Sequence, residues 1–188
     1  RMKKMKVKIG RNQKVFFTSD EHFGHKNVIE YNSRPYKSVE EMDADLIDRF
    51  NKKVPKDGFT IHGGDFSLIG GNRARVMQRY VNNLNGTHLF LMGSHDRWLN
   101  NQDAHEMVEL MINKQKIVVC HYAMRVWPAS HYNSWMLYGH SHGGLPSEGK
   151  SYDIGVDNNW YNPVSYEEIV EIMAGLPDNF NLIKDRRY

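Results

Sequence analysis

The chain has 188 residues, of which 40% are hydrophobic and 25% are charged, and its formal net charge at pH 7 is +3. This composition is typical of a soluble globular protein, the single cysteine excludes an internal disulfide framework, and no apolar run approaches the roughly 20 residues that span a bilayer. No signal peptide is visible either, so we expect one cytoplasmic domain over residues 1–188 without a membrane partner. Its mildly basic charge allows the binding of phosphate-bearing ligands but does not require nucleic acid.

The basic segment at residues 1–14 alternates lysines with the apolar side chains of Met5, Val7 and Ile9. This alternation predicts an edge strand that lysines protect and that turns at residues 10–12 toward the next strand. A nucleic-acid-binding arm is the less favoured interpretation.

A buried strand is predicted at residues 15–17, and its apolar run stops abruptly before Asp20 and His22. Open α/β sheets keep their chemistry at the carboxyl ends of strands. An Asp and a His two positions apart can turn to the same side of an extended segment and offer an oxygen and a nitrogen to a divalent cation. Four later strand ends carry similar residues, which supports the interpretation of Asp20 and His22 as metal ligands.

A loop with His25 and Asn27 follows this strand and leads into a short helix. These two side chains could face a substrate, or Asn27 could merely cap the helix. A longer structural helix is predicted after the capping box at Ser38.

Two more strands, at residues 59–62 and 88–92, flank a second amphipathic helix. They end at the motifs Gly64-Asp65 and Gly93-Ser94-His95-Asp96. The alternation of strand and helix predicts parallel strands whose carboxyl ends gather these residues on one rim.

The second half of the chain is predicted to be more antiparallel. Its elements are a hairpin of strands 107–112 and 115–120, strands at 135–138 and 152–156, and a last helix after a capping box at Ser165. Three histidines follow these strands: His121, His140 and His142.

These strand ends together predict a metal site. An isolated buried His is more often a core residue and an Asp after a strand often caps a helix, but five strand ends with suitable atoms are hard to explain in that way. Carboxylates mixed with imidazoles suit Mn, Fe, Zn or similar ions. The candidate ligands are Asp20, His22, Asp65, His121, His140 and His142. We expect Cys120 in the core, because it points to the opposite face of its strand from His121.

The motif series resembles that of the calcineurin-like metallophosphoesterases, in the same order, from about Phe16 to Ile169. It consists of Asp20-Glu21-His22, Gly64-Asp65, Gly93-Ser94-His95-Asp96, His121 and Gly139-His140-Ser141-His142. The segments Phe23-Gly24-His25, Arg34-Pro35, His121-Tyr122 and Gly155-Val156-Asp157 look like a compact bacterial and phage branch. The resemblance implies an α/β fold, a four-layer α/β/β/α sandwich of two mixed sheets with flanking helices.

The resemblance also implies two divalent ions that share Asp65, with manganese favoured over iron, zinc, nickel or cobalt. One ion would be held by Asp20, His22, Asp65 and His142, and the other by Asp65, Ser94, His121 and His140. The implied reaction is hydrolysis of phosphate monoesters or diesters by in-line attack of a hydroxide that bridges the ions. His95 would be the general acid, and Asp96 would orient its imidazole.

Ser94 departs from the family pattern, which has Asn at this position. Its shorter neutral hydroxyl is a weak ligand, so we expect either weaker binding of the second ion or a water that fills the gap, and slower turnover. The sequence leaves open whether Ser94 is natural or introduced, and the intact remainder of the motifs favours an introduced substitution.

The substrate is expected to be a small phosphorylated molecule, such as a nucleotide or cyclic nucleotide. Arg34 and Arg125 could bind its phosphate together with His25 and Asn27, although a solvent-facing role is as plausible for each arginine. A nuclease and a non-catalytic scaffold are the alternatives, and the sequence leaves the oligomeric state open.

Overall fold

The computed structural model of the chain describes residues 4–7, 9, 13–70, 72–100 and 105–183. The strands are β1 (Lys4–Val7), β2 (Val15–Thr18), β3 (Phe59–His62), β4 (Thr87–Phe90), β5 (Met107–Ile112), β6 (Gln115–Cys120), β7 (Trp135–Tyr138), β8 (Ser151–Asp153) and β9 (Val164–Ser165). The helices are α1 (Asn27–Tyr31), α2 (Val39–Lys53), α3 (Arg73–Arg79) and α4 (Tyr166–Gly175). None of these helices combines the length and the apolar character needed to cross a membrane.

The strands form two mixed sheets. A four-stranded sheet has the order β4-β3-β2-β9, in which β2, β3 and β4 are parallel and β9 is antiparallel. A five-stranded sheet has the order β1-β5-β6-β7-β8. The predicted α/β architecture of two mixed sheets with flanking helices is confirmed.

Strand β2 explains why the core has two layers. Phe17 packs between the sheets in a cluster with Ile61 and Leu137. Phe16 faces the opposite way, into a cluster that includes Met42 and other residues of α2. Successive side chains of a strand point to opposite faces, so a strand that is buried on both faces is apolar throughout. The continuous run at 15–17 is therefore the sequence of a central strand.

Strand β1 is an edge strand, but its predicted hairpin with β2 is wrong. It pairs in parallel with β5 in the other sheet, with Met5 opposite Val108. Met5 and Val7 pack against the cluster between the sheets, and this apolar contact favours the pairing with β5. The predicted turn at residues 10–12 lies outside the described residues.

The second half of the chain is less antiparallel than predicted. The hairpin of β5 and β6 is confirmed, and its turn residues Asn113 and Lys114 have φ of 49° and 67°, as a tight hairpin requires. However, β6 pairs with β7 and β7 pairs with β8 in parallel. The connections that follow β6 and β7 are long enough to carry the chain back across the sheet, so the strands run the same way.

The helix starts agree only in part with the predicted caps. At α4 the Ser165 hydroxyl accepts from the Glu168 amide and the Glu168 carboxylate accepts from the Ser165 amide, so that capping box is complete. At α2 the Ser38 hydroxyl accepts from the Glu41 amide, but the Glu41 carboxylate binds the Lys37 amide instead. Asn27 is the first helical residue of α1 and does not cap it.

Candidate metal centre

The predicted ligands lie just past the carboxyl ends of strands from both sheets. Asp20 and His22 follow β2, Asp65 follows β3, His121 follows β6, and the Gly139–His142 segment follows β7. The structure brings six of these side chains into two groups, in each of which one donor atom per residue lies within 4.8 Å of the others. The groups are Asp20, His22 and His142, and Asp65, His121 and His140.

The Asp65 carboxylate connects the two groups. Its Oδ2 lies 3.8 Å from Nε2 of His22 and 3.3 Å from Nε2 of His121. Both Nε2 atoms are buried, and among the described residues neither has a hydrogen-bond partner. Buried polar atoms normally find partners, so two such nitrogens aimed at one carboxylate fit the ligands of a divalent cation.

In two of the candidate ligand histidines, the second ring nitrogen is held by a neighbouring group. Nδ1 of His121 lies 3.0 Å from the Gly63 carbonyl oxygen, and Nδ1 of His142 lies 2.6 Å from Oδ2 of Asp157. A hydrogen bond at one ring nitrogen fixes the tautomer and leaves the other nitrogen free to bind a metal. The surroundings therefore direct Nε2 of both rings toward the carboxylates.

Burial shifts the pKa values of the ligands away from their ordinary range. It raises the pKa of Asp20 to about 7 and lowers the pKa of His22 to about 2, because a charge is poorly solvated here. At Asp65 burial also acts to raise the pKa, but the contacts with His121 and with the His95 amide outweigh it, and the pKa lies below its usual value. A cation bound among these groups would compensate for the missing solvation of the carboxylates.

Five of the ligand residues have a left-handed backbone. Their φ values are 59° at Asp20, 56° at His22, 54° at Asp65, 68° at His140 and 47° at His142. Residues other than glycine avoid this region, because their Cβ atom clashes with the backbone there, although Asp and His enter it more readily than most. The turn that each residue makes directs its side chain off the end of a strand into the common site.

Two motif glycines allow the chain to approach the carboxylates closely. A Cβ at Gly139 would collide with Oδ2 of Asp20 and Oγ of Ser19, and a Cβ at Gly93 would collide with Oδ1 of Asp65. The His140 amide, directly after Gly139, lies 2.9 Å from Oδ2 of Asp20 and donates to it. These glycines are required because backbone packs directly against the ligand carboxylates.

Asp96 has a different role from the one predicted. Its Oδ1 accepts hydrogen bonds from the amides of Phe66 and Ser67 and from the indole nitrogen of Trp98, and its Oδ2 accepts from the amides of Asp65 and Gly93. These five donors occupy the carboxylate, so it joins the loops after β3 and β4 instead of orienting the His95 imidazole. The prediction that Asp96 orients the general acid is corrected accordingly.

Arg34 is likewise not placed to bind a substrate. Its side chain is buried, with 4% of its surface exposed, and its guanidinium binds both carboxylate oxygens of Asp157 at 2.7 and 2.8 Å. It also donates to the carbonyl oxygens of Asp20 and Glu21. Arg34 thus holds the loop after β2 and, through Asp157, the ring of His142. The predicted substrate-binding role of Arg34 is corrected for this reason.

Ser94 and His95 both contact the shared carboxylate. The Ser94 hydroxyl lies 3.0 Å from Oδ2 of Asp65, and the His95 amide donates to Oδ1 of Asp65 at 2.8 Å. The His95 ring lies 5.3 Å from the His22 ring and 5.6 Å from the His25 ring, measured between centroids. The roles of Ser94 as a ligand and of His95 as an acid stay predictions.

The remaining candidates lie in different surroundings. His25 belongs to the site, because its Nδ1 lies 3.1 Å from Nδ1 of His22. Asn27 is exposed at the start of α1. The Arg125 guanidinium lies 5.6 Å from the centre of the Phe180 ring, and it lines a cavity of about 220 Å³ that none of the predicted ligands line. Substrate binding by these three residues stays a prediction.

Two acidic residues that hold the site were not assigned a role from the sequence. Asp157 orients His142, and Oδ2 of Asp153 accepts from the Gly143 amide and the Ser141 hydroxyl. The sequence did offer one signal for these roles, because both carboxylates lie close to the end of the predicted strand that corresponds to β8. Carboxylates in that position could face the glycine-rich loop after β7. The sequence alone does not tell which loop they face.

Replacing Asp96 by Ala should destabilise the fold. Buried donors left without an acceptor cost about 1–3 kcal/mol each, so we expect the free energy of unfolding to fall by more than about 3 kcal/mol. Urea unfolding of the metal-free protein measures this. The control is Asp48→Ala, at an exposed ion pair with Lys52 on α2, which should change the stability by less than about 1 kcal/mol. Equal effects of the two substitutions would contradict the assigned role of Asp96.

Replacing Asp157 by Asn should weaken metal binding, because His142 would lose its charged partner. Loss of such a partner typically costs about 10- to 100-fold in affinity. Titration with Mn²⁺, with free Mn²⁺ measured by electron paramagnetic resonance, gives the dissociation constants. The matched control is Asp57→Asn in an exposed turn, which should leave them unchanged. An unaltered affinity in a folded Asp157→Asn variant would refute this role.

Comparison with known proteins supports the fold. No family model matches the chain. The uncharacterized protein MJ1445 of Methanocaldococcus jannaschii is 28% identical over 168 residues, which cover 86% of this chain and 92% of that protein. The solved structure of AQ665, a protein of unknown function from Aquifex aeolicus, aligns with a TM-score of 0.63 and 20% identity over 86% of this chain and 100% of its own.

Yfce, a phosphoesterase from E. coli, is also among the similar solved structures. It aligns with a TM-score of 0.42 and 20% identity over 76% of this chain and 78% of its own. The alignment with the Aquifex protein alone shows a shared fold. The two-sheet architecture that the motif resemblance implies is the architecture observed.

Proposed function

We propose that this chain is a calcineurin-like phosphoesterase that uses two divalent metal ions to hydrolyse phosphate monoesters or diesters. The observation that carries the proposal is the pair of donor groups joined by Asp65, with the buried Nε2 atoms of His22 and His121 directed at its carboxylate. Oxygen and imidazole donors without a thiolate suit Mn, Fe or Zn, and manganese is proposed among them because of the motif resemblance.

Two bound cations would supply an activated water for attack on phosphorus and would neutralise charge on the phosphate oxygens. The residues of the chain hold this arrangement in place before substrate arrives. Asp65 would be shared between the ions, and Arg34 and Asp157 fix the loop after β2 and the imidazole of His142. Preorganised donors of this kind avoid a cost of rearrangement during the reaction.

His95 is the proposed general acid, which gives a proton to the oxygen of the leaving group. Its backbone is fixed on Asp65, while its partly exposed ring stands beside the rings of His22 and His25. A side chain that is held at its backbone and open at its ring can reach a leaving group at the rim of the site. His25 is close enough to take part in holding the same ester.

The substrate is proposed to be a small phosphorylated molecule, such as a nucleotide or cyclic nucleotide, in the cytoplasm. The experiment described below also distinguishes two other functions. A nuclease would act on polynucleotide with a rate that falls steeply as salt increases. A scaffold would hydrolyse no ester, even with Asn at position 94.

A panel of nitrophenyl monoesters and diesters tests the proposal. The protein treated with chelator should be inactive, and added Mn²⁺ should restore hydrolysis. A His95→Asn variant should retain Mn²⁺ binding and lose little activity on the nitrophenyl esters, whose leaving group needs no proton. On the corresponding methyl esters it should lose about 100-fold or more in kcat, because it lacks the proton donor. Hydrolysis that persists without metal, or none with any metal, would contradict the proposed function.

The substitution Ser94→Asn should increase both the occupancy of the second ion and the rate. An amide oxygen reaches further than the Ser94 hydroxyl, which lies against Asp65. We expect the stoichiometry of tightly bound Mn²⁺ to rise from about one toward two and kcat to rise by about tenfold or more. The matched control is Ser33→Asn in the turn after α1. Unchanged occupancy and rate would show that Ser94 does not limit the site.

A further inference from the structure

A cavity of about 380 Å³ adjoins the candidate metal centre. His121 and Gly93 are among the residues that line it. His121 is a candidate ligand, and Gly93 packs against Asp65. A volume of this size falls within the range of small-molecule pockets, about 300–1,000 Å³. A molecule bound at the metal centre could therefore extend into the cavity without leaving the site.

Tyr122 joins the cavity to the metal centre. Its ring centroid lies 4.8 Å from that of His121 and 4.7 Å from that of His140, so it covers two candidate ligands from one side. Tyr122 also lines the cavity, and 49% of its surface is exposed. A planar group that leaves the metal centre on this side would meet an accessible aromatic face.

The remaining lining is apolar and adaptable. Met92, Met124 and Cys120 provide it, and sulfur atoms of methionine pack favourably against aromatic rings. The one charged side chain among the described lining residues is the exposed carboxylate of Glu106. A negative charge on a ligand would be repelled there, whereas a neutral ring or one with N–H donors would be accepted.

We propose that this cavity binds the organic group of the phosphate ester and that it selects a neutral aromatic group over small aliphatic or anionic ones. The inference rests on the proposed function, because the metal centre must hold the phosphate. It narrows the substrate class to esters of aromatic alcohols and of nucleosides whose base can lie against Tyr122. Glu106 disfavours binding of polyphosphates and of esters with a second acidic group in the cavity.

Phosphonates test this binding without requiring turnover. Calorimetry on the Mn²⁺-loaded protein should give phenylphosphonate a dissociation constant about tenfold or more below that of methylphosphonate, as expected for an added group in an apolar pocket. The substitution Met124→Trp, which fills the cavity, should bring the ratio close to one. The matched control is Met111→Trp on β5, where 58% of the side chain is exposed, and it should keep the ratio.

A second ligand tests the role of Glu106. The protein should bind 4-carboxyphenylphosphonate more weakly than phenylphosphonate, and Glu106→Gln should reduce this difference, while Glu167→Gln on α4 should not. Equal binding of phenyl- and methylphosphonate, no phosphonate binding, or a ratio that Met124→Trp leaves intact would each overturn the proposal. Selective phenylphosphonate binding without hydrolysis of any ester would support the cavity and contradict the proposed function.

Discussion

The carboxylate of Asp65 is the group on which the rest of the site depends. Its Oδ2 faces imidazole nitrogens from both donor groups, and its Oδ1 accepts the amide of His95. Its own amide is held by Asp96, which also fixes the loop that carries His95. Because one side chain joins both groups, a small shift of the loop after β3 would alter the distances from this carboxylate to both groups.

The supports around this carboxylate come from segments far apart in the chain. Arg34 and Asp157 are separated by 123 residues, and together they connect the loop after β2 to the ring of His142. Burial makes such a pair costly to break, since either partner alone would be an unpaired charge away from water. The candidate metal centre is therefore fixed by contacts between distant segments and not by the loops of the candidate ligands alone.

The sequence predicted what depends on neighbouring residues. The apolar run of β2, the hairpin turn at Asn113 and the cap at Ser165 follow local rules. The gathering of Asp20, His22 and Asp65 follows from the rule that parallel strands end on one rim. The predictions from the sequence were wrong where a residue or strand interacts with a segment that is distant in the chain. Arg34 resembled a phosphate-binding residue because nothing nearby indicates that Asp157 neutralises it, and β1 was assigned to the nearest strand although apolar packing joins it to β5.

The left-handed backbone at five candidate ligands also bears on thermal resistance. Each such residue gives up about 1 kcal/mol or more relative to an unstrained conformation, and glycine would remove most of that cost. Thermal stability and possession of the side chain are thus opposed at His140, whereas Asp20, His22, Asp65 and His142 also make hydrogen bonds that glycine would lose. A descendant of this protein that had lost its activity could therefore gain thermal stability by replacing such a candidate ligand with glycine.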